Sequence, residues 1–189
     1  MAMPLPAQLH LTLPLWVLDM DVAGRDFGSD AAKVAFAVEL SQRNVDAGSG
    51  GPFGAAVFDA HDRIVAVGVN RVLPQSCSAA HAEMMAYMLA QQRLQRSRLN
   101  EDGNRMVLAT SAQPCCQCYG ATFWAGVDRL LIGARAEDVM GLTEFDEGPL
   151  PTDWIGELER RGIEVVRDLE RDAACAVLRA YGQQGGSVY

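Results

Sequence analysis

Residues 106–133 read MVLATSAQPCCQCYGATFWAGVDRLLIG. Met106 to Thr110 is a compact apolar run of strand type. Pro114 suits the first turn of a helix, where its missing N–H is not needed, and that helix continues to about Ala125. Leu130 to Gly133 is the next strand. This strand–helix–strand order sets the pattern for the rest of the chain.

Upstream, apolar residues recur at helical spacing from Asp30 to Asp46 (Val34, Ala37, Val38, Val45), and Gly48 to Gly51 then breaks the chain. Phe53 to Phe58 and Ile64 to Val69 are short β-type runs around the turn-like DAHDR segment, which reads as a hairpin. Ser78 is read as the N-cap of a helix running through His81 to Leu94. Downstream, Glu137 to Pro151 reads as an irregular acidic stretch. Thr152 to Arg161 reads as a helix closed by Gly162, Ile163 to Val166 as a strand, and Glu170 to Tyr181 as the last helix. The expected class is α/β, a three-layer α/β/α sandwich with a central mixed five-stranded sheet. No repeat or linker divides residues 1–189, so one domain is expected, with residues 1–28 as an N-terminal arm.

Chemistry concentrates in His81-Ala82-Glu83 and Pro114-Cys115-Cys116-Gln117-Cys118. Zinc takes imidazole nitrogen and thiolate sulfur, and a catalytic site uses three protein ligands with water in the fourth place. Cys115 and Cys118 are three apart and share a helix face. His81 supplies a third ligand from another helix start, and both starts carry partial positive charge that favours thiolates. Glu83, two positions after His81, is poorly placed as a ligand. It is well placed to take a proton from water beside the metal and pass it on. Two other readings of the cysteines remain: a CxxC redox pair, and a structural site closed by Cys77 as a fourth ligand. Cys116 is expected in the core, as is Cys175. His10 and His61 are expected in a tail and a turn.

The chain has 189 residues, 49% hydrophobic and 21% charged, with a formal net charge of −8. A surface that acidic offers phosphate backbones no general attraction, so no nucleic-acid partner is expected. Five cysteines, three of them within four positions, make a poor disulfide framework and favour a reducing, cytoplasmic setting. The N-terminal MAMPLPAQLHLTLPLWVLDMD is apolar but interrupted by three prolines and preceded by no basic region. It fits neither a signal peptide nor a membrane span.

The spacing H-x-E…P-C-x-x-C is the signature of zinc-dependent nucleobase deaminases. The chain resembles the cytidine deaminase-like superfamily, and more narrowly the bacterial guanine deaminases of that fold. The resemblance rests on GGPFGAAVF (50–58), GVNRVLP (68–74), CSAAHAE (77–83), TSAQPCCQC (110–118), FDEGP (145–149) and DAACAVLRAY (172–181). It implies one zinc per chain on His81, Cys115 and Cys118, with Glu83 as the principal proton shuttle. Glu147 would be a second carboxylate contacting the purine and assisting loss of ammonia. Asn70 would hydrogen-bond the ring, Phe53 and Trp124 would line the pocket, and the backbone N–H of Ala82 would help hold the attacked centre. The implied reaction is guanine to xanthine plus ammonia, a step in purine catabolism. Other aminated heterocycles remain as alternatives: an aminotriazine, cytosine or a guanine nucleoside. So do a tRNA adenosine deaminase and a non-catalytic zinc protein. The resemblance also implies a homodimer that exchanges residues 151–189, so that the tail of one subunit covers the other's pocket and Tyr189 closes it. Two positions depart from the pattern: Gln113 stands where similar enzymes carry Glu, and Gln117 where Met is frequent.

Overall fold

The computed structural model describes residues 5–189, so the first four residues of the arm lie outside it. The arm carries one short 3-10 turn, Leu15–Val17. Helix α1, Asp30–Asp46, starts at Ser29, whose hydroxyl accepts the Ala32 N–H at 3.1 Å. Then come β1 (Gly54–Phe58), β2 (Ile64–Val69), a single helical turn α2 (Val72–Gln75) and α3 (Ala82–Leu94). The second half comprises β3 (Val107–Ala112), α4 (Cys116–Ala125), β4 (Arg129–Ala134) and α5 (Ala136–Leu142). It closes with α6 (Trp154–Glu159), β5 (Glu164–Val166) and α7 (Arg171–Gln183).

The five strands form one sheet in the order β2-β1-β3-β4-β5. Pairing is antiparallel for β1 with β2 and with β3, and parallel for β3 with β4 and β4 with β5. Alternate strand residues face opposite layers. Ala56, Phe58, Ala109 and Leu131 pack toward α1 and α7, whereas Ala55, Val57, Leu108, Leu130 and Ile132 pack toward α3 and α6. The mixed three-layer sandwich expected from the sequence is therefore the fold. At the β2 edge the register slips by one residue between Val57 and Phe58, and the guanidinium of Arg93 donates to the Val65 carbonyl there at 2.9 Å.

Some local readings need correction. His81, not Ser78, is the N-cap of α3, and Pro114 precedes the N-cap Cys115 of α4 rather than sitting in its first turn. The acidic stretch from Glu137 is not irregular throughout, because it contains α5. Its acids suit a helix start: Asp138 accepts the Arg135 N–H at 2.8 Å, and Arg135 and Arg171 flank it with positive charge. The later helix is also shorter than Thr152–Arg161, beginning after Asp153, whose carboxylate accepts the Gly156 N–H at 3.1 Å.

Candidate metal centre and active site

Strand direction assembles the site. Because β1 opposes both β2 and β3, the entry to β1 and the exits from β2 and β3 share one end of the sheet. Phe53, Asn70 and Cys115 sit just beyond those ends, and α3 and α4 begin there.

His81 Nδ1 lies 3.5 Å from Cys115 Sγ and 3.6 Å from Cys118 Sγ, and the three donor atoms lie within 4.8 Å of one another. Tetrahedral zinc with Zn–N of ~2.1 Å and Zn–S of ~2.3 Å holds nitrogen and sulfur about 3.6 Å apart. The donor set therefore fits zinc in chemistry and in spacing. Among the described residues Cys77 does not join this cluster, which leaves a three-donor set of the kind catalytic zinc uses.

Glu83 is buried, with Oε2 3.4 Å from Cys118 Sγ. Burial, then the charge of Cys115, pushes its carboxyl up to about 7. Glu147 is buried too. Burial, then the charges of Cys115 and Glu83, pushes its carboxyl up to about 8. The Glu147 carbonyl accepts the Cys116 N–H at 2.9 Å, tying its loop to the first turn of α4. The Cys115 thiol is held down at about 4, chiefly by hydrogen bonding to Cys118, then to His81.

Phe53, Asn70, Ala82, Glu83, Glu147 and Tyr189 line one cavity of about 320 Å³ together with His81 and Cys115. Asn70 Oδ1 accepts the N–H groups of Gly51 (3.4 Å) and Val72 (3.3 Å), which turns its NH2 toward the cavity. That NH2 donates to the Tyr189 hydroxyl. The Tyr189 ring meets His81 edge-on at 5.6 Å, so the tail enters the cavity of its own chain. Ala82 begins α3, where backbone N–H groups have no partner inside the helix.

Trp124 does not join them. It is 74% exposed, on the outer face of α4 beside Met84, Met88 and Ala121. Six residues after Cys118, at 3.6 residues per turn, it points roughly 240° round the helix from the ligand. Phe145 takes an aromatic place instead, its ring 5.1 Å from those of both Phe53 and Tyr189. Its sequence signal is FDEGP itself, where it stands two residues before Glu147. Cys116 is exposed and borders the cavity rather than entering the core. Gln113 is buried at the cavity wall, its side-chain carbonyl 3.5 Å from the Ala136 N–H at the start of α5. That acceptor role is open to glutamine and glutamate alike.

The profile of the cytidine and deoxycytidylate deaminase zinc-binding region matches residues 29–134. A probable cytosine deaminase of Schizosaccharomyces pombe is 32% identical over 150 residues, covering 77% of this chain and 87% of that one. The solved guanine deaminase of Nitrosomonas europaea superposes with a TM-score of 0.87 at 43% identity, over 95% of this chain and 99% of that one. A mutant of the protein NE0047 in complex with 8-azaguanine superposes with a TM-score of 0.88 at 44% identity, over 94% and 98%. With its zinc donors and mixed sheet in place, the chain belongs to the cytidine and deoxycytidylate deaminase family of zinc-dependent hydrolases.

Proposed function

We propose that this chain hydrolyses guanine to xanthine and ammonia. The observation that carries the reading is one cavity in which two buried carboxylates, Glu83 and Glu147, stand beside a zinc-type donor set and an outward-turned Asn70 amide. Zinc, when bound by His81, Cys115 and Cys118, supplies the Lewis acidity that makes a water nucleophilic at neutral pH. Glu83 takes a proton from that water as its oxygen adds to C2 of the ring, and delivers the proton to the ring nitrogen. Glu147 contacts the amino group and passes to it the proton given up by the new C2 hydroxyl, so that the C–N bond breaks, ammonia leaves and the C2 carbonyl forms. The Asn70 NH2 donates to an acceptor on the base, and Phe53 with Phe145 gives the planar ring an apolar wall.

The likeness to a probable cytosine deaminase supports a second reading, in which a smaller aminated heterocycle is the substrate. A panel of guanine, cytosine, an aminotriazine and guanosine, followed by ammonia release, separates the two. Guanine is expected to give the highest kcat/KM. A higher value for cytosine overturns the purine reading. Glu147→Gln is expected to lower guanine turnover by about 100-fold, the lower end of general acid–base contributions, and turnover of small pyrimidines by less. Full guanine activity in that variant removes Glu147 from the chemistry.

Purified protein is expected to hold one zinc per chain by elemental analysis, and Cys118→Ser to lower that content. A content unchanged by this substitution argues against Cys118 as a ligand.

Two further elements belong to this reading. Tyr189 closes the cavity over the base, and the chain is a cytoplasmic homodimer that exchanges residues 151–189 across Gly148-Pro149-Leu150-Pro151. Within one chain β5 pairs with β4 and α7 packs on α1 and β4, contacts that an exchange reproduces between subunits. No helix among the described residues is long and apolar enough to cross a membrane. Removing Gly185 to Tyr189 is expected to leave a folded dimer that has lost most guanine turnover. Unchanged kinetics, or a monomer by light scattering, counts against this assembly.

A further inference from the structure

Behind the cavity lies a chain of hydrogen bonds that the proposed chemistry does not use. Asn44, in the last turn of α1, is wholly buried. Its Nδ2 donates both hydrogens, to the carbonyls of Gly51 at 2.8 Å and Asn70 at 2.9 Å. Those carbonyls belong to the residue whose amide faces the cavity and to the residue whose N–H holds that amide's oxygen. One side chain thus fixes the backbone on both sides of the Asn70 carboxamide. The fit is close: a Cβ on Gly50 would come within 1.9 Å of the Asn70 carbonyl oxygen and 2.7 Å of Asn44 Nδ2.

The chain continues outward. Asn44 Oδ1 accepts the Ser49 hydroxyl at 2.7 Å, and Ser49 Oγ accepts the indole N–H of Trp16 at 3.0 Å. Trp16 is in the N-terminal arm, half-buried against the core with Leu13 and Met20. A second tie runs through Arg71, which is buried and makes no ion pair among the described residues. Its guanidinium donates instead to the carbonyls of Ser49 and, at 3.2 Å, of Thr12 in the arm. The arm is therefore tied to Ser49 twice, directly through Trp16 and by way of Arg71, the residue after Asn70.

We infer that Asn44, Ser49 and Trp16 are positioning residues for Asn70, through which the N-terminal arm sets the affinity for the base. This rests on the reading that Asn70 contacts the base. A carboxamide with both oxygen lone pairs engaged by backbone presents its NH2 in one orientation, and loosening the loop lets it turn. The expected loss is in binding more than in turnover, because none of the three residues reaches the carboxylates or the metal donors.

The test uses the zinc-loaded full chain and steady-state ammonia release from guanine. Trp16→Phe keeps an aromatic ring and removes the indole N–H, and Ser49→Ala removes the relay. Both sites are partly exposed, so they avoid the risk that Asn44→Ala fails to fold. Each is expected to raise KM by roughly three- to tenfold, the worth of one hydrogen bond, with kcat within about twofold. Asn70→Ala alone is expected to raise KM by at least roughly tenfold. Trp16→Phe made in that background is expected to add nothing further, because its effect travels through Asn70. An unchanged KM in both Trp16→Phe and Ser49→Ala, or an equal rise with and without Asn70, overturns the positioning role. Asn70→Ala with unaltered KM instead overturns the base contact on which it rests.

Discussion

Glu83→Gln is expected to reduce kcat by about 1,000-fold, within the range of general acid–base contributions, while zinc content and thermal stability stay level. That factor corresponds to about 4 kcal/mol of barrier. The substitution keeps the shape of a side chain that is 7% exposed and removes its capacity to accept a proton. Stability holds because a buried neutral amide costs less desolvation than a buried carboxylate. Zinc content holds because the three donors are His81, Cys115 and Cys118. A variant that retains roughly a tenth of the activity removes Glu83 from the proton-shuttle role. A variant that loses zinc makes Glu83 part of the metal's support instead.

The second large effect lies in a glycine with no chemical group of its own. Gly68 sits in β2, where a Cβ would stand 2.0 Å from the Ala82 carbonyl oxygen and 2.5 Å from the Ala86 nitrogen. Both are backbone atoms of α3, so no side chain can swing away. Gly68→Ala must push the helix from the sheet, at a cost of about 3 kcal/mol, typical of overpacking. The pushed turn carries His81, Ala82 and Glu83. A shift of about 1 Å there is enough to lower kcat/KM by about 100-fold. Urea unfolding and steady-state kinetics on the same preparation check both parts. Gly141→Ala is the control, since nothing lies within 4 Å of its added methyl and the position is helical. It is expected to be neutral or stabilising by up to about 1 kcal/mol. Equal stability of the two variants contradicts the close approach of β2 and α3.

Much of this was legible in the sequence because the strongest signals were local. Proline before a cysteine pair, a histidine two before a glutamate, and β-type runs bounded by turn residues each depend on neighbours a few positions apart. The donor cluster and the five strands followed from them. What stayed hidden depends on phase and distance. The resemblance turns Trp124 toward the cavity, but its angle round α4 carries it outside. Helix α5 is obscured because Glu137 and Asp138 open a run of acids that reads as irregular, although the same residues stabilise a helix start once Arg135 and Arg171 lie beside them. Ser78 looked like a cap by residue type, yet α3 starts three residues later, at the histidine that serves the metal cluster. The Asn44 network had no sequence signature, because its partners come from α1, the glycine loop and the end of β2.

The two free margins of the sheet bear on how the chain behaves at high concentration. An open sheet offers unpaired backbone groups at each side, and such margins invite copies of the same protein to pair and precipitate. Here one margin is three residues long, and its Glu164 is drawn into ion pairs with Arg105 and Arg129. The other is six residues long but twisted by its bulge, and Arg93 occupies the carbonyl at the irregular position. A neighbouring molecule extending the sheet would have to displace Arg93 at the longer margin, and would find only three residues to pair with at the shorter. Both devices work against extension of the sheet by a further copy at its margins, as distinct from an exchange that only re-forms the pairing of β5 with β4.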